Sequence, residues 1–285
     1  MDYPIYEVTP EAFPGALTEI PDPPKKLSIR GTLPPKEHVL LAVVGSRAYS
    51  TYGRQAVETL IGGLSGYPIT IVSGLAIGID ALAHKTALAH RINTIAVPGS
   101  GISDAVLYPR QNKSLARDIL QSGGALLSEF APDFRAVHWS FPQRNRIMAG
   151  IARATLVVEA TLKSGTLITA RLAADYNRDL LVVPGSIFSE NSKGPHLFMR
   201  IGATPITSPE DLLEALGFSP EKPSAKQLDL SPAEQKIYDA LQAPQSRDAI
   251  IATLGMAAEE ANAHLMLMVL RGHLIEKNSI YSRAL

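Results

Sequence analysis

Three short clusters hold the side chains best suited to chemistry in this 285-residue sequence. The first lies in VVEATLKSGTLITARLA, residues 157–173. It is an apolar run, a Lys163-Ser164-Gly165-Thr166 turn and the opening of a helix, with Thr169 three residues beyond. A strand that ends in a Gly-containing turn and feeds a helix leaves backbone N–H groups and the positive end of the helix dipole facing one point, which suits a phosphate. Taken alone, Lys163 reads as a solvated loop charge and Ser164 as an ordinary N-cap. The second cluster is Gly45-Ser46-Arg47, directly after VLLAVV, and the third is Arg144-Asn145-Arg146, after Phe141-Pro142. An arginine forks onto a phosphate whereas a lysine is a point charge, so Arg47 is expected to orient a backbone phosphate and Lys163 to neutralise one. Arg144 and Arg146 lie about 200° apart around a helix. At most one of them is expected to face the ligand, the other bracing the fold through an acid. Tyr49, Tyr52, Tyr108, Trp139 and Phe141 stand near these clusters and offer either a stacking surface for an unpaired base or simple packing.

Other chemistries find no matching pattern. No G-x-x-x-x-G-K-[ST] loop is present, and Gly45-Ser46-Arg47 departs at once from a dinucleotide G-x-G-x-x-G, so ATP and NAD are disfavoured. Ser100 has Pro98 and Ile102 where a nucleophile elbow needs glycines. The seven histidines show no zinc spacing; Asp80 and His84, four residues apart, read as a structural pair. With no cysteine there is no disulfide framework, iron–sulfur cluster or thiol catalysis. No catalytic residue, cofactor or metal site is expected. Lys plus Arg and Asp plus Glu are both 27, so an anion site must be built locally and not by a general field. No run is long enough for a signal core or a membrane span, and a soluble cytoplasmic protein is expected.

The elements that position the clusters follow from the rhythm of the chain. Short apolar runs rich in β-branched residues, at 39–44, 69–73, 92–97, 125–129, 155–159 and 180–184, read as fully buried parallel strands. Helical patterns at 53–64, 79–90, 113–121, 144–151 and 167–177 alternate with them, which predicts a doubly wound, mostly parallel α/β sheet. Gly45, Gly74, Gly99, Gly101, Gly165 and Gly185 each follow a strand. In such a sheet the carboxyl ends of the strands form the ligand crevice, so these turns are expected to converge. Residues 1–37, with eight prolines, read as an arm packed on the main domain at 38–217. A linker is expected at 218–230, then a second unit at 231–285. Ser231-Pro232 with Glu234 signals a capped helix to about Leu241. Helices at 246–254 and 257–270 and a hairpin at 272–283 complete a winged-helix pattern. Its third helix, AAEEANAHLMLMVL, carries two glutamates and no cation before Arg271, and Lys222–Leu285 holds seven cations and seven acids. Base reading needs Arg, Lys or amides there, so this module is expected to bind a protein, or its own neighbour, in preference to DNA.

The ordered series VVGSRAYSTYG, IVSGLAIGIDALAH, YPRQN, SEFAP, FPQRNRIMAGIA, VVEATLKSGTLITARLA, VVPG and SKGPHLFMRIGA resembles the DNA-processing protein A (DprA/Smf) family over 38–217. The resemblance implies an extended Rossmann-like fold and a basic pocket for single-stranded DNA. It also implies a homodimer formed through the sheet domain, and handing of protected incoming strands to a RecA-type recombinase during natural transformation. It places Gly45, Ser46, Arg47, Gly74, Phe141, Arg144, Asn145, Lys163, Ser164, Gly165, Thr166 and Thr169 at the DNA. In SKGPHLFMRIGA, Pro195-His196 replaces the usual Asn-containing segment. The alternative reading is a nucleotide-processing enzyme resembling the cytokinin-activating phosphoribohydrolases. Against it, TLKSGT lacks their paired glycines, and no glutamate follows Thr166 where their acid stands; Glu159 lies on the strand side.

Overall fold

The computed structural model describes residues 3–9, 12, 16–220, 230–241, 244–271, 273–277 and 279–283. The chain forms two compact units, Met1–Ser219 and Pro220–Leu285. The division falls beside the expected linker 218–230, of which 221–229 lie outside the described residues. Among the described residues no helix is long and apolar enough to cross a membrane.

The first unit is an α/β, Rossmann-like layer structure on a nine-stranded sheet. Its strands are β1 (Ile5–Val8), β2 (Leu27–Gly31), β3 (Val39–Val44), β4 (Ile69–Ser73), β5 (Asn93–Ala96), β6 (Ala125–Ser128), β7 (Ala154–Val157), β8 (Asp179–Val182) and β9 (Thr204–Pro205). They lie in the order β1-β2-β6-β5-β4-β3-β7-β8-β9. From β6 to β9 every pairing is parallel, while β1 and β2 run antiparallel at one edge. The helices are α1 (Thr51–Gly62), α2 (Ile79–Ala89), α3 (Lys113–Gln121), α4 (Ser140–Ile151), α5 (Thr166–Asp175), α6 (Lys193–Met199) and α7 (Pro209–Ala215).

Alternation along β3 shows why these runs are apolar throughout. Leu40 and Val44 enter the core under α4, α5 and α6, with Ile147, Ala170 and Phe198, while Leu41 and Val43 enter the core under α1, α2 and α7, with Val57, Ile79 and Leu212. A strand covered on both faces has no polar side to show. The proline-rich arm is more than a wrapping. It supplies β1 and β2 and buries Leu17, Ile20, Leu27 and Ile29 completely or nearly so. Strand β1 was not expected, because Pro4 and Pro10 mask it in the sequence; both lie outside its four residues, and an edge strand tolerates them.

Chain order and spatial order part company at β3. From β3 the chain moves outward through β4, β5 and β6, then returns to the other side of β3 with β7. This reversal opens a crevice between the loops that leave β3 and β7, the place where open α/β sheets bind ligands.

The second unit consists of α8 (Pro232–Ala240), α9 (Arg247–Leu254) and α10 (Ala258–Leu270), with β10 (Gln245–Ser246), β11 (Leu274–Lys277) and β12 (Ile280–Arg283) in an antiparallel sheet ordered β10-β12-β11. It is a small winged helix around Ile237, Leu241, Ile250, Leu265, Met268 and Leu274. Ser231 and Glu234 form the reciprocal cap of α8 that the sequence signals, with Pro232 in the first turn. On α10 the outward side chains include Met266, Leu267 and Leu270, the last 74% exposed, beyond Glu259 and Glu260 in the first turn.

Candidate functional site

The loop after β3 is locked by backbone contacts. The Ser46 N–H donates to the Glu159 carbonyl (2.6 Å), the Ser46 carbonyl accepts from the Ile79 N–H (3.1 Å), and the Ser46 hydroxyl accepts from the Ala48 N–H (3.1 Å). Gly45 is required by this closeness, since a Cβ there would lie 2.6 Å from Ile79. Gly78, at φ +95°, would put a Cβ 2.4 Å from the Ser46 carbonyl oxygen. Held this way, the loop presents Arg47 outward, exposed and without an ion pair among the described residues.

Arg144 comes from α4 and is 6% exposed. Its Nη1 donates to the carbonyls of Gly74 and Val97, at the ends of β4 and β5, and its Nε donates to Asn145 Oδ1 (3.2 Å). Nη2 makes no hydrogen bond among the described residues. The guanidinium lies against Gly74, where a Cβ would sit 2.2 Å from Nη1. Burial lowers the Arg144 pKa to about 10; Asp80 opposes that and Arg47 adds to it. The side chain therefore stays protonated at neutral pH, at a cost, and feels a second cation nearby. Asp80, from the first turn of α2, is buried, accepts the Gly74 N–H (3.1 Å) and has its pKa raised by burial, with Arg144 pulling the other way. Arg146 points elsewhere: it pairs with Glu129 and with Asp22 and fastens the N-terminal segment.

The turn before α5 completes the crevice. Thr166 Oγ1 donates to the Gly45 carbonyl (3.0 Å), joining the loops after β3 and β7, and the Ser164 hydroxyl donates to Thr166 Oγ1 (2.9 Å). The expected fan of free N–H groups is smaller than the sequence implies. The Thr166 N–H bonds the Ser164 hydroxyl, and those of Leu167 and Ile168 bond the carbonyls of Ser164 and Gly165. The Ser164 side chain thus takes one of these donors and backbone carbonyls take the other two. Gly165 faces open space, for a Cβ built on it meets nothing within 4 Å.

The resulting crevice holds about 490 Å³ and is lined by Gly45, Ser46, Arg47, Phe141, Arg144, Asn145, Ser164, Gly165, Thr166 and Thr169. Two expected residues fall outside that lining. Gly74 lies under Arg144 in a smaller adjoining pocket of about 80 Å³, which Arg47 and Phe141 also line. Lys163 is exposed in the turn beside the crevice without lining it. The sequence reading missed Asp80 and Met148 in the main crevice and Gln111 in the smaller one. Asp80 was legible only as an i, i+4 partner of His84. The two do not bond each other; His84 instead meets Thr94 Oγ1 (2.7 Å). Of the five aromatics, Tyr108 and Phe141 line the smaller pocket with ring centroids 5.7 Å apart. Trp139 packs on Phe130 and Phe134, and Tyr52 bonds the Pro184 carbonyl.

Glu159 does not face the crevice as a free acid. It is buried and accepts from the Ser50 N–H (2.8 Å), the Ser50 hydroxyl (2.6 Å) and Asn191 Nδ2 (3.4 Å), anchoring the start of α1. Among the described residues no three His, Asp or Glu side chains are grouped to hold a metal ion.

Comparison with known proteins gives a consistent answer. The model of the family described as DNA recombination-mediator protein A matches residues 5–217. Protein Smf of Escherichia coli K12 is 43% identical over 208 residues, which cover 73% of this chain and 55% of that protein. DNA processing protein DprA of Streptococcus pneumoniae R6 is 41% identical over 216 residues, covering 76% of this chain and 75% of that one. The chain thus spans about half the length of the first of these relatives and three quarters of the second. The crystal structure of the pneumococcal protein superposes with a TM-score of 0.68 at 40% identity, covering 74% of each chain. A structure of DNA processing protein A from Helicobacter pylori, which addresses that protein's single-stranded DNA binding mode, superposes with a TM-score of 0.64 at 30% identity, covering 74% of this chain and 95% of that one. With its sheet unit matched from β1 to the end of α7, this chain belongs to the DNA recombination-mediator protein A family, known as DprA/Smf.

Proposed function

We propose that this chain is a non-catalytic single-stranded DNA-binding protein that protects incoming strands and passes them to a RecA-type recombinase in natural transformation. One observation carries the reading: Arg47 and the buried Arg144 converge on one crevice, neither has an ion pair among the described residues, and Arg47 disfavours the charge of Arg144. Asp80 lines the same crevice, but burial disfavours its charge, so the two cations offer a site for a further anion. A phosphodiester bridging them relieves the repulsion and engages the free Nη2 of Arg144. Gly165 leaves the space for it, while Asn145 and the Ser164–Thr166 hydroxyls offer polar contacts. Lys163, exposed in the adjoining turn, neutralises the next phosphate, and the Tyr108–Phe141 pair offers a base a stacking face. Phe141, Pro142 and Ile168 add apolar surface to the same crevice.

The Helicobacter relative's strand-binding mode and the family's description as a recombination mediator support the same reading. Its remaining parts are a homodimer formed through the sheet unit, action in the cytoplasm, and a winged helix whose apolar, acidic α10 face meets protein and not DNA. The phosphoribohydrolase alternative lacks a comparable observation, because Glu159 is fully engaged in bracing α1.

The test is fluorescence anisotropy with labelled oligo-dT against a duplex of equal length, beside an assay for base release from nucleoside monophosphates. The reading requires tighter single-strand binding and no base release. Equal affinity for both DNAs, or turnover abolished by Glu159→Gln, sends the function to the alternative.

A further inference from the structure

Beside the crevice, on the face of the sheet covered by α1 and α2, runs a second groove of about 700 Å³. We propose that it is a second binding segment for single-stranded nucleic acid, which receives the strand as it leaves the crevice; the proposal rests on the function given above.

Four observations carry it. The groove shares a wall with the smaller pocket of the crevice system. Ile77 lines both the groove and the smaller pocket under Arg144, and Tyr49 at the groove mouth stands two residues from Arg47. Its walls carry two exposed cations, Arg54 in the first turn of α1 and Lys85 in the middle of α2; neither forms an ion pair within 4 Å among the described residues, and Tyr49 and Glu58 favour the charge of Arg54. In a chain whose cations and acids balance at 27 each, that is a local field and not a share of a general one. Arg54 is also held in place, its guanidinium 5.9 Å from the centroid of the Tyr49 ring. Finally, the lining includes the small residues Gly78, Ala81 and Ala89, and Asn112, whose amide donates to the Leu75 carbonyl (2.8 Å). Backbone phosphates would meet Arg54 and Lys85 on opposite walls, and a base would lie on Ile77, which is 45% exposed.

Both helices start at the carboxyl edge of the sheet, so the groove leads away from the crevice. Arg54 precedes Glu58, the acid of this lining, by one turn of α1, and Glu58 lies farther from the edge. Arg54 is therefore the cation next to the crevice, while Lys85, in the middle of α2, stands about as deep along the groove as Glu58 does on α1.

The experiment compares Arg54→Gln/Lys85→Gln with wild type on dT20 and on an oligonucleotide short enough to fill only the crevice, such as dT4, across a salt series. Losing two phosphate contacts should lower the magnitude of the log-affinity versus log-salt slope for dT20 by about 1.4, or roughly 25-fold in affinity at 0.1 M salt relative to 1 M. Binding of dT4 should not change. Lys25→Gln/Lys36→Gln removes the same charge from elsewhere and should change neither. An unaltered dT20 slope overturns the groove, as does an equal loss for dT4 or for the control pair. If wild type binds neither oligonucleotide, it is the crevice reading that fails.

Discussion

The seat of Arg144 on Gly74 makes a quantitative claim. In Gly74→Ala the new methyl would lie 2.2 Å from Nη1 and 2.5 Å from Cζ, where ordinary contact needs at least 3.4 Å. The guanidinium must retreat by about 1 Å and give up its bonds to the Gly74 and Val97 carbonyls. Overpacking alone costs about 1–3 kcal/mol, and hydrogen bonds from a charged donor contribute about 1.5–3 kcal/mol each. A loss of about 3 kcal/mol is expected after relaxation. Arg144→Ala breaks the same bonds but also removes a buried charge. Burial depresses its pKa to about 10, a fall that represents roughly 3 kcal/mol against the charged form. For a cation of depressed pKa this penalty applies throughout the neutral range and is relieved only as the pH rises past about 10. The two effects oppose, so Arg144→Ala should cost under about 2 kcal/mol. In the double variant the methyl meets no guanidinium, and the two changes should couple by about 2 kcal/mol. Urea unfolding of the four proteins measures the cycle, and additivity within about 0.5 kcal/mol would refute the contact.

Three further outcomes are expected. Gly165→Leu places a side chain in open space at a helical backbone angle, so the melting temperature should hold while single-strand affinity falls at least tenfold; equal affinity in an anisotropy titration would mean that DNA does not enter there. His84 is buried, with its pKa lowered from 6.5 to about 3, so folding stability should decline as the pH drops from 6.5 toward 3. His84→Met should flatten that limb of a denaturation series, and a limb unchanged in slope would contradict the assignment. Removing 222–285 should cost less than threefold in single-strand affinity, because α10 opens with Glu259 and Glu260; a tenfold loss in the same titration would show the winged helix to be a DNA reader.

Much of the frame was legible because burial on both faces leaves a plain mark. The runs at 39–44 and 69–73 coincide with β3 and β4; of the six glycines expected to converge, Gly45 and Gly165 line the crevice and Gly74 the pocket beside it, while Gly99, Gly101 and Gly185 line neither. The angular separation of Arg144 and Arg146 also anticipated that they point apart. What escaped the sequence depends on tertiary partners. Nothing local says that the Ser164 and Thr166 hydroxyls turn inward, that Lys163 stands off the crevice lining, or that Asp80 reaches it by way of the Gly74 N–H. Strand β1 needed its partner β2 to be visible, since four residues between prolines carry too little pattern of their own.

The central claim is that phosphate neutralisation by the crevice cations drives binding. The measurement that tests it most directly is the salt dependence of oligo-dT affinity for wild type, Arg47→Ala and Lys163→Ala, both side chains being exposed and free of ion pairs among the described residues. Each substitution should lower the magnitude of the log-affinity versus log-salt slope by about 0.7, or roughly fivefold in affinity at 0.1 M salt relative to 1 M. Slopes and affinities unchanged in both variants would contradict the account and move the strand out of this crevice.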